Sequence, residues 1–254
     1  MRVVHVAVHT LRETVRDRVF LVTLLFALLL IGGSVAVSPL AAGQRDRVIK
    51  DVGLASISII GTLLAVFVGA SLVHRETERR TIYTLLSRPL GRAEYVIGKY
   101  LGVVLTLALN VSIMAVFFGL LVHFLLKSLT MDHLAAIYLI GVELAVLAAF
   151  SILFSVLSSP VLSAAFTLSL FFVGHLAADI RRFAELLPPG LFRSLSAGAG
   201  YLLPNLEYFN AKGMAVYGKA VEPGLLVWAT LYAAGYIVTA VGIAALVFRR
   251  KDLK

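Results

Sequence analysis

No cysteine occurs in the 254 residues. Disulfides, thiolate metal ligands and a thiol nucleophile are therefore excluded, while the compartment stays open. Charge is also scarce: 15% of residues are Asp, Glu, Lys or Arg, against about 25% in a soluble domain. No phosphate-cradling G-x-x-x-x-G-K-[ST] loop is present, because six residues separate Gly91 from Gly98-Lys99 and Tyr100 follows the lysine. Intramembrane proteolysis needs paired aspartates, a Ser/His pair or His-Glu-x-x-His, and lipid phosphotransfer needs aspartates clustered at span ends. Neither grouping occurs, so the chain reads as non-catalytic, with no cofactor or metal of its own.

What the sequence has in abundance is apolar surface. Sixty per cent of residues are hydrophobic and the mean hydropathy is +0.95, more than a water-borne fold can bury, so the chain is an integral membrane protein. The net charge of +9 does not point to nucleic acid, because the basic residues collect beside apolar runs. Six runs, about 19–38, 54–73, 96–126, 134–157, 160–179 and 225–248, are long enough to cross a ~30 Å hydrocarbon core as helices. In lipid the backbone must satisfy its own hydrogen bonds, so an all-α architecture of six transmembrane helices follows. The third run exceeds what a crossing needs and should tilt or protrude.

Residues 1–18 differ from the run that follows. Val4, Val8, Leu11, Val15 and Val19 recur at spacings of three and four, with Arg2, His5, Arg12, Arg16 and Arg18 between them. This predicts an amphipathic helix lying along the membrane surface. The first apolar run is longer than a signal h-region and Pro39 would follow the Ala36-Val37-Ser38 cut, so it is read as retained. Six spans place both ends on one side. That side carries fourteen Lys and Arg against nine opposite, five of the nine in the long 180–224 segment, so both termini are expected in the cytoplasm. In 180–224, Leu186-Leu187-Pro188-Pro189-Gly190-Leu191-Phe192 and Tyr201-Leu202-Leu203-Pro204 are too short and Pro-broken to span. They predict short interfacial or re-entrant helices on the outer face.

The segment 74–94 stands between two of the most apolar runs. Its charges would each cost about 2.5–3.5 kcal/mol at mid-bilayer, so it belongs in the cytoplasm. Glu76 precedes Arg79 and Arg80 in the favourable order for helical pairs, Ile82, Leu85 and Leu86 form one apolar stripe, and Pro89 ends the helix at or before Arg88. The segment reads either as a short helix under the membrane or as a solvated loop.

Within the spans, Glu143 is a carboxylate at membrane depth, either functional by default or held by hydrogen bonds between helices. Asn110 is a weaker candidate of the same kind, since one amide often joins helices. His5 and His9 have metal-ligand spacing but no third ligand, and read as surface residues. His175 and Asp179 read as a solvated or interfacial pair. Gly98-x-x-x-Gly102 is a small-residue packing motif of low specificity.

Glu76-x-Glu78-x-x-Thr81-Ile82, Leu85-Leu86-Ser87-x-Pro89-x-x-Arg92 and Gly98-Lys99 resemble the signature of ABC transporter permeases of the ABC-2 type. The leader Thr10-Leu11-Arg12-Glu13, and Leu203-Pro204-Asn205-Leu206 with Phe209-Asn210, are similar to the flanking parts of that pattern. The nitrous-oxide-reductase maturation permeases are one such group. Arg80 stands where many relatives carry glycine. The resemblance covers essentially the whole chain, 1–254, as a single transmembrane domain. It implies that 74–94 holds a coupling helix docked on a separate ATPase subunit, through Glu76, Glu78, Arg79, Arg80, Thr81, Tyr83, Thr84, Arg88, Pro89 and Arg92. It further implies a homodimer in a bacterial or archaeal cytoplasmic membrane, with two ATPase copies binding ATP and Mg. The expected activity is export. The alternatives are mechanical transmission to a periplasmic protein, or a scaffold that only anchors an ATPase. Copper is disfavoured as cargo by the absent cysteine and the dispersed Met1, Met114, Met131 and Met214.

Overall fold

A computed structural model describes residues 2–38, 43–78, 91–186 and 203–250, with the isolated positions 190 and 198. Among the described residues every regular element is helical: α1 (Arg2–Val15), α2 (Arg18–Val37), α3 (Arg45–Glu78), α4 (Arg92–Leu121), α5 (Met131–Leu157), α6 (Pro160–Leu186), α7 (Lys212–Val216) and α8 (Pro223–Arg250). A π turn, Val122–Leu126, extends α4, and a 3-10 turn, Leu206–Phe209, precedes α7. Among the described residues five helices are each long and apolar enough to cross a membrane, and α1 with α2, bent by 62°, makes six where the pair counts as one broken span. The expected all-α integral membrane fold is observed.

The spans run further than the apolar stretches that reveal them. α3 begins at Arg45, nine residues before the apolar run, because a helix need not stop where hydrocarbon does. Local chemistry fixes the ends. The Gly91 N–H donates to the Glu94 carboxylate (3.1 Å) at the start of α4, and the Thr130 N–H donates to His133 Nδ1 (3.2 Å) at the start of α5; in each a first-turn side chain reaches back to the N–H of the residue before the helix. Pro160 and Pro223 open α6 and α8, where a missing N–H costs nothing. Lys127, at φ 51°, turns the chain out of the π turn.

Connectivity makes the spans alternate in direction. The near side of the bundle holds the α1–α2 bend, Glu78, Arg92, Leu157 and Arg250; the far side holds Val37, Arg45, Leu126, Met131, Leu186 and Pro223. α3 and α5 run parallel through the centre. They approach closely because Gly61, Ala65 and Gly69 form a small-residue stripe. A Cβ at Gly69 would lie 2.5 Å from Ser151 Oγ, and one at Gly61 the same distance from Leu144 Cδ1. Ser151 and Ser155 donate to the α3 carbonyls of Val66 (3.2 Å) and Ala70 (3.0 Å). Ser163 of α6 donates to the Ser151 carbonyl (3.1 Å), joining a third helix.

The outer helices show lipid what the central pair hides. α4 exposes Leu101, Leu105, Leu109, Val116 and Leu120 along one face, and α2 exposes Leu21, Val22, Leu25, Phe26 and Leu29. α1 packs on α4 through a face that its hydrophobic periodicity does not mark. Val4 and Val8 are exposed, while Val6, Ala7, Thr10 and Thr14 are buried. Val6 and Thr10 sit on Gly98 and Gly102, where a Cβ would meet them at 2.7 and 2.5 Å. Thr10 and Thr14 bond their own helix, to the Val6 (2.9 Å) and Thr10 (2.8 Å) carbonyls, so their hydroxyls are satisfied inside the contact. Thus the stripe Val4, Val8 and Leu11, expected to be the membrane face, lies opposite the one that docks.

Candidate functional site

The far half of the bundle closes around a polar cluster. The segment from Leu203 to Val216 enters it as the 3-10 turn and α7, with Leu206, Phe209, Ala211 and Ala215 buried. This wedge overlaps the stretches 186–192 and 201–204, where the broken apolar pattern predicts short outer-face helices, only at Leu203 and Pro204. Its non-helical backbone is covered by protein, as the bilayer demands. Asn205 holds the entry: its side-chain oxygen accepts from the Glu207 N–H (3.1 Å) and its own N–H donates to the Tyr232 hydroxyl (2.8 Å). Leu206 packs tightly on Gly174 of α6, where a Cβ would lie 2.7 Å from it. Of the neighbouring expected outer-face pieces, Leu186 ends α6 and Gly190 is a bend, while Leu187, Leu191, Phe192, Tyr201 and Leu202 lie outside the described residues.

Four ionisable or hydroxyl side chains converge on this wedge. Lys212 opens α7 and donates through Nζ to Ser58 Oγ of α3 (3.1 Å). Glu143 of α5 is 1% exposed, and Lys212 and Glu207 lie within its electrostatic reach. His175 of α6 brings Nε2 to 3.6 Å from Glu143 Oε1. Its other nitrogen, Nδ1, is 3.0 Å from the Phe171 carbonyl, which can only accept, so the proton sits on Nδ1 and Nε2 faces the carboxyl. Counted from the far ends of their apolar runs, Ser58 lies about 6 Å and Glu143 about 14 Å along, so the cluster sits in the far half of the spans.

His175 therefore departs from the expectation of a solvated pair with Asp179. Burial of Glu143 supplies a partner that spacing along one helix cannot reveal, and Asp179 instead faces Arg182 (3.9 Å) on the exposed surface. Asn110 is fully buried on α4, with neither amide atom hydrogen-bonded; it is not brought to Glu143 by any contact of the structure. Ser58, His175, Glu207 and Lys212 were not legible as a site. The only signal was the Pro204-Asn205 and Phe209-Asn210 pattern beside them.

At the near side, Glu76 and Glu78 fall in the last turn of α3, which runs from the span into the start of the 74–94 segment without a break. Arg79, Arg80, Thr81, Tyr83, Thr84, Arg88 and Pro89 lie outside the described residues. Arg92 opens α4 directly after Gly91. The segment expected to dock on an ATPase is thus bracketed by the ends of α3 and α4. His5 and His9 are both exposed, and His9 faces Glu13 (4.0 Å). Among the described residues no three His, Asp or Glu side chains gather as a metal site.

The described helices thus form a polytopic bundle, with α1 leading in and the Leu203–Val216 wedge before the last span, the build of a multi-pass membrane subunit. The sequence model of the family described as ABC-2 family transporter protein matches residues 4–253, and the chain belongs to that family. It is a multi-pass membrane permease subunit of an ABC transporter, and an ABC ATPase is its implied partner. No curated protein matches it by sequence.

Proposed function

We propose that the chain is the membrane-spanning part of an exporter driven by ATP hydrolysis in a separate subunit. The near side faces the cytoplasm, where the excess of Lys and Arg lies. Two copies of the chain pair in the membrane and two ATPase subunits, which hold ATP and Mg, bind beneath them. The observation that carries this reading is the continuity of α3. Its 34 residues make a rod of about 51 Å with no break between Arg45 and Glu78. At one end it enters the coupling segment; in its far half it takes the Lys212 hydrogen bond through Ser58; along its length it is tied to α5 by Ser151 and Ser155. Displacement of the segment by an ATPase that clamps nucleotide is carried to the polar cluster without a hinge.

The same rod supports a second use. Arg45, Asp46 and Arg47 at its far end are exposed, so a partner protein outside the membrane would feel the same motion. A soluble partner recovered in stoichiometric amount with the permease would favour transmission of force over export of cargo.

The test uses the coupling segment. Interfaces depend on a few anchors, Arg and aromatic residues foremost, here Arg79, Arg80, Tyr83 and Arg88. Changing Arg79 and Arg80 together to Glu should reduce ATPase affinity by a loss of about 2–5 kcal/mol. The ATPase is co-purified with wild-type and variant permease at matched expression. Loss from the variant, with membrane insertion intact, supports the reading; undiminished recovery refutes it.

A further inference from the structure

Glu143 of α5 and His175 of α6 meet in the far half of the spans, and their polar atoms are unequally provided for. Nδ1 of His175 donates to the Phe171 carbonyl (3.0 Å), and Nε2 points at Glu143 Oε1 (3.6 Å). Among the described residues neither carboxyl oxygen takes part in a hydrogen bond, although Glu143 is 1% exposed. With its proton on Nδ1, a neutral imidazole offers Nε2 as an acceptor, and an ionised carboxyl offers only acceptors. Two acceptors thus face each other inside the bundle, where a charge without hydrogen bonds is costly.

The neighbours do not fill that gap. Lys212 gives its hydrogen bond to Ser58 of α3 (3.1 Å) and acts on Glu143 across space, as does Glu207, a like charge. Asp179, the next acid on α6, faces Arg182 at the surface. The other packed helices bring no charge to this depth: 52–73 of α3, 100–122 of α4 and 224–248 of α8 contain no Asp, Glu, Lys, Arg or His. Their titratable side chains are Tyr100, Tyr232 and Tyr236.

We propose that Glu143 and His175 bind one proton between Oε1 and Nε2, a proton site that ties α5 to α6. The proton is taken from water, bonds to one of the two atoms and is donated to the other. It draws in a pair that stands about 0.4 Å beyond hydrogen-bond length, and it leaves that pair without net charge. Gly174, beside His175, seats Leu206 of the wedge so closely that a Cβ would lie 2.7 Å from it. Holding His175 therefore holds the wedge, and loss of the proton sets two acceptors against each other at that joint. The site belongs to these side chains alone and stands whether the bundle exports cargo or transmits force.

The test is made on the full chain in lipid bilayers across a pH series. Glu143 is read by isotope-edited infrared spectroscopy of its carboxyl group and His175 by nitrogen NMR of its ring. The signals are assigned by their loss in Glu143→Gln and His175→Gln. A shared proton is a property of the pair, so its loss should appear in both probes at one pH. In Glu143→Gln the His175 transition should move by about one pH unit or more, while that of His9, exposed beside Glu13, stays in place. Glu143→Asp keeps a carboxyl but withdraws it from Nε2, and should part the two curves even where Gln disturbs the fold. Separate transitions in the unaltered chain, or a His175 transition that Glu143→Gln leaves in place, would overturn the proposal. So would a Glu143 carboxyl ionised throughout the series, because Lys212 would then be its partner.

Discussion

The two halves of α3 lie in different surroundings. Toward Arg45 the helix meets a wedge of chain that buries Leu206, Phe209, Ala211 and Ala215, and Ser58 accepts a hydrogen bond from the one lysine of that wedge. Toward Glu78 the same helix, through Phe67, Val68 and Ser71, borders a cavity open to lipid. The far half gathers its polar groups in a packed interior, with Lys212 on Ser58 and His175 beside Glu143. The near half borders open volume instead. One helix thus joins a packed polar interior to a region with open volume beside it.

The largest expected effect breaks the far half. Lys212→Met removes the charged hydrogen bond to Ser58 and a cation within electrostatic reach of Glu143, and a hydrogen bond to a charged group contributes about 1.5–3 kcal/mol. Thermal unfolding in detergent should show a large drop for Lys212→Met. Glu143→Gln added to it should recover part of the loss, because residues in one network couple. Strict additivity of the two changes would separate Lys212 from Glu143.

A smaller effect belongs to the near half. Gly102→Leu drives a side chain into Thr10, and overpacking of this kind costs about 1–3 kcal/mol. The expected outcome is detachment of α1 from α4, read as faster tryptic cleavage at Arg12 and Arg16. Gly141→Leu, where a Cβ meets nothing within 4 Å, is the matched control and should leave cleavage unchanged.

Smaller still is Tyr138→Phe. It removes the 2.8 Å contact between the Tyr138 and Thr230 hydroxyls at the α5–α8 surface. Hydrogen bonds between membrane helices average about 0.6 kcal/mol, so the melting temperature should barely move. A drop as large as that of Lys212→Met would contradict the division between a charged interior and an ordinary helix contact.

The spans were legible because hydrocarbon demands long apolar runs: five appear close to where the sequence places them, and the first, α2, qualifies only together with α1. Their partners were not. In lipid an apolar side chain gains little by choosing protein over tails, so close packing by small residues decides which face docks. That is why Val4 and Val8, the obvious stripe of α1, face outward while Thr10 meets Gly102. Glu143 was legible as a candidate because a carboxylate at that depth is costly. His175, Ser58 and Lys212 were not, because three different elements bring them to it and no spacing along one helix encodes that. Gly98-x-x-x-Gly102 carried its information plainly as a small-residue motif; what it could not say was that the partner is α1.

The central claim is that α3 carries ATPase-driven motion from the coupling segment to the polar cluster. The cysteine-free chain allows two spin labels to be placed alone, at Asp51→Cys near the far end of α3 and Gly213→Cys on the wedge, both exposed positions. Pulsed electron–electron resonance then measures their separation in the complex with its ATPase, without nucleotide and with ATP trapped. The account predicts a shifted distance distribution on trapping, and no shift when Arg79 and Arg80 are both changed to Glu. Identical distributions in the two nucleotide states of the unaltered complex would contradict it.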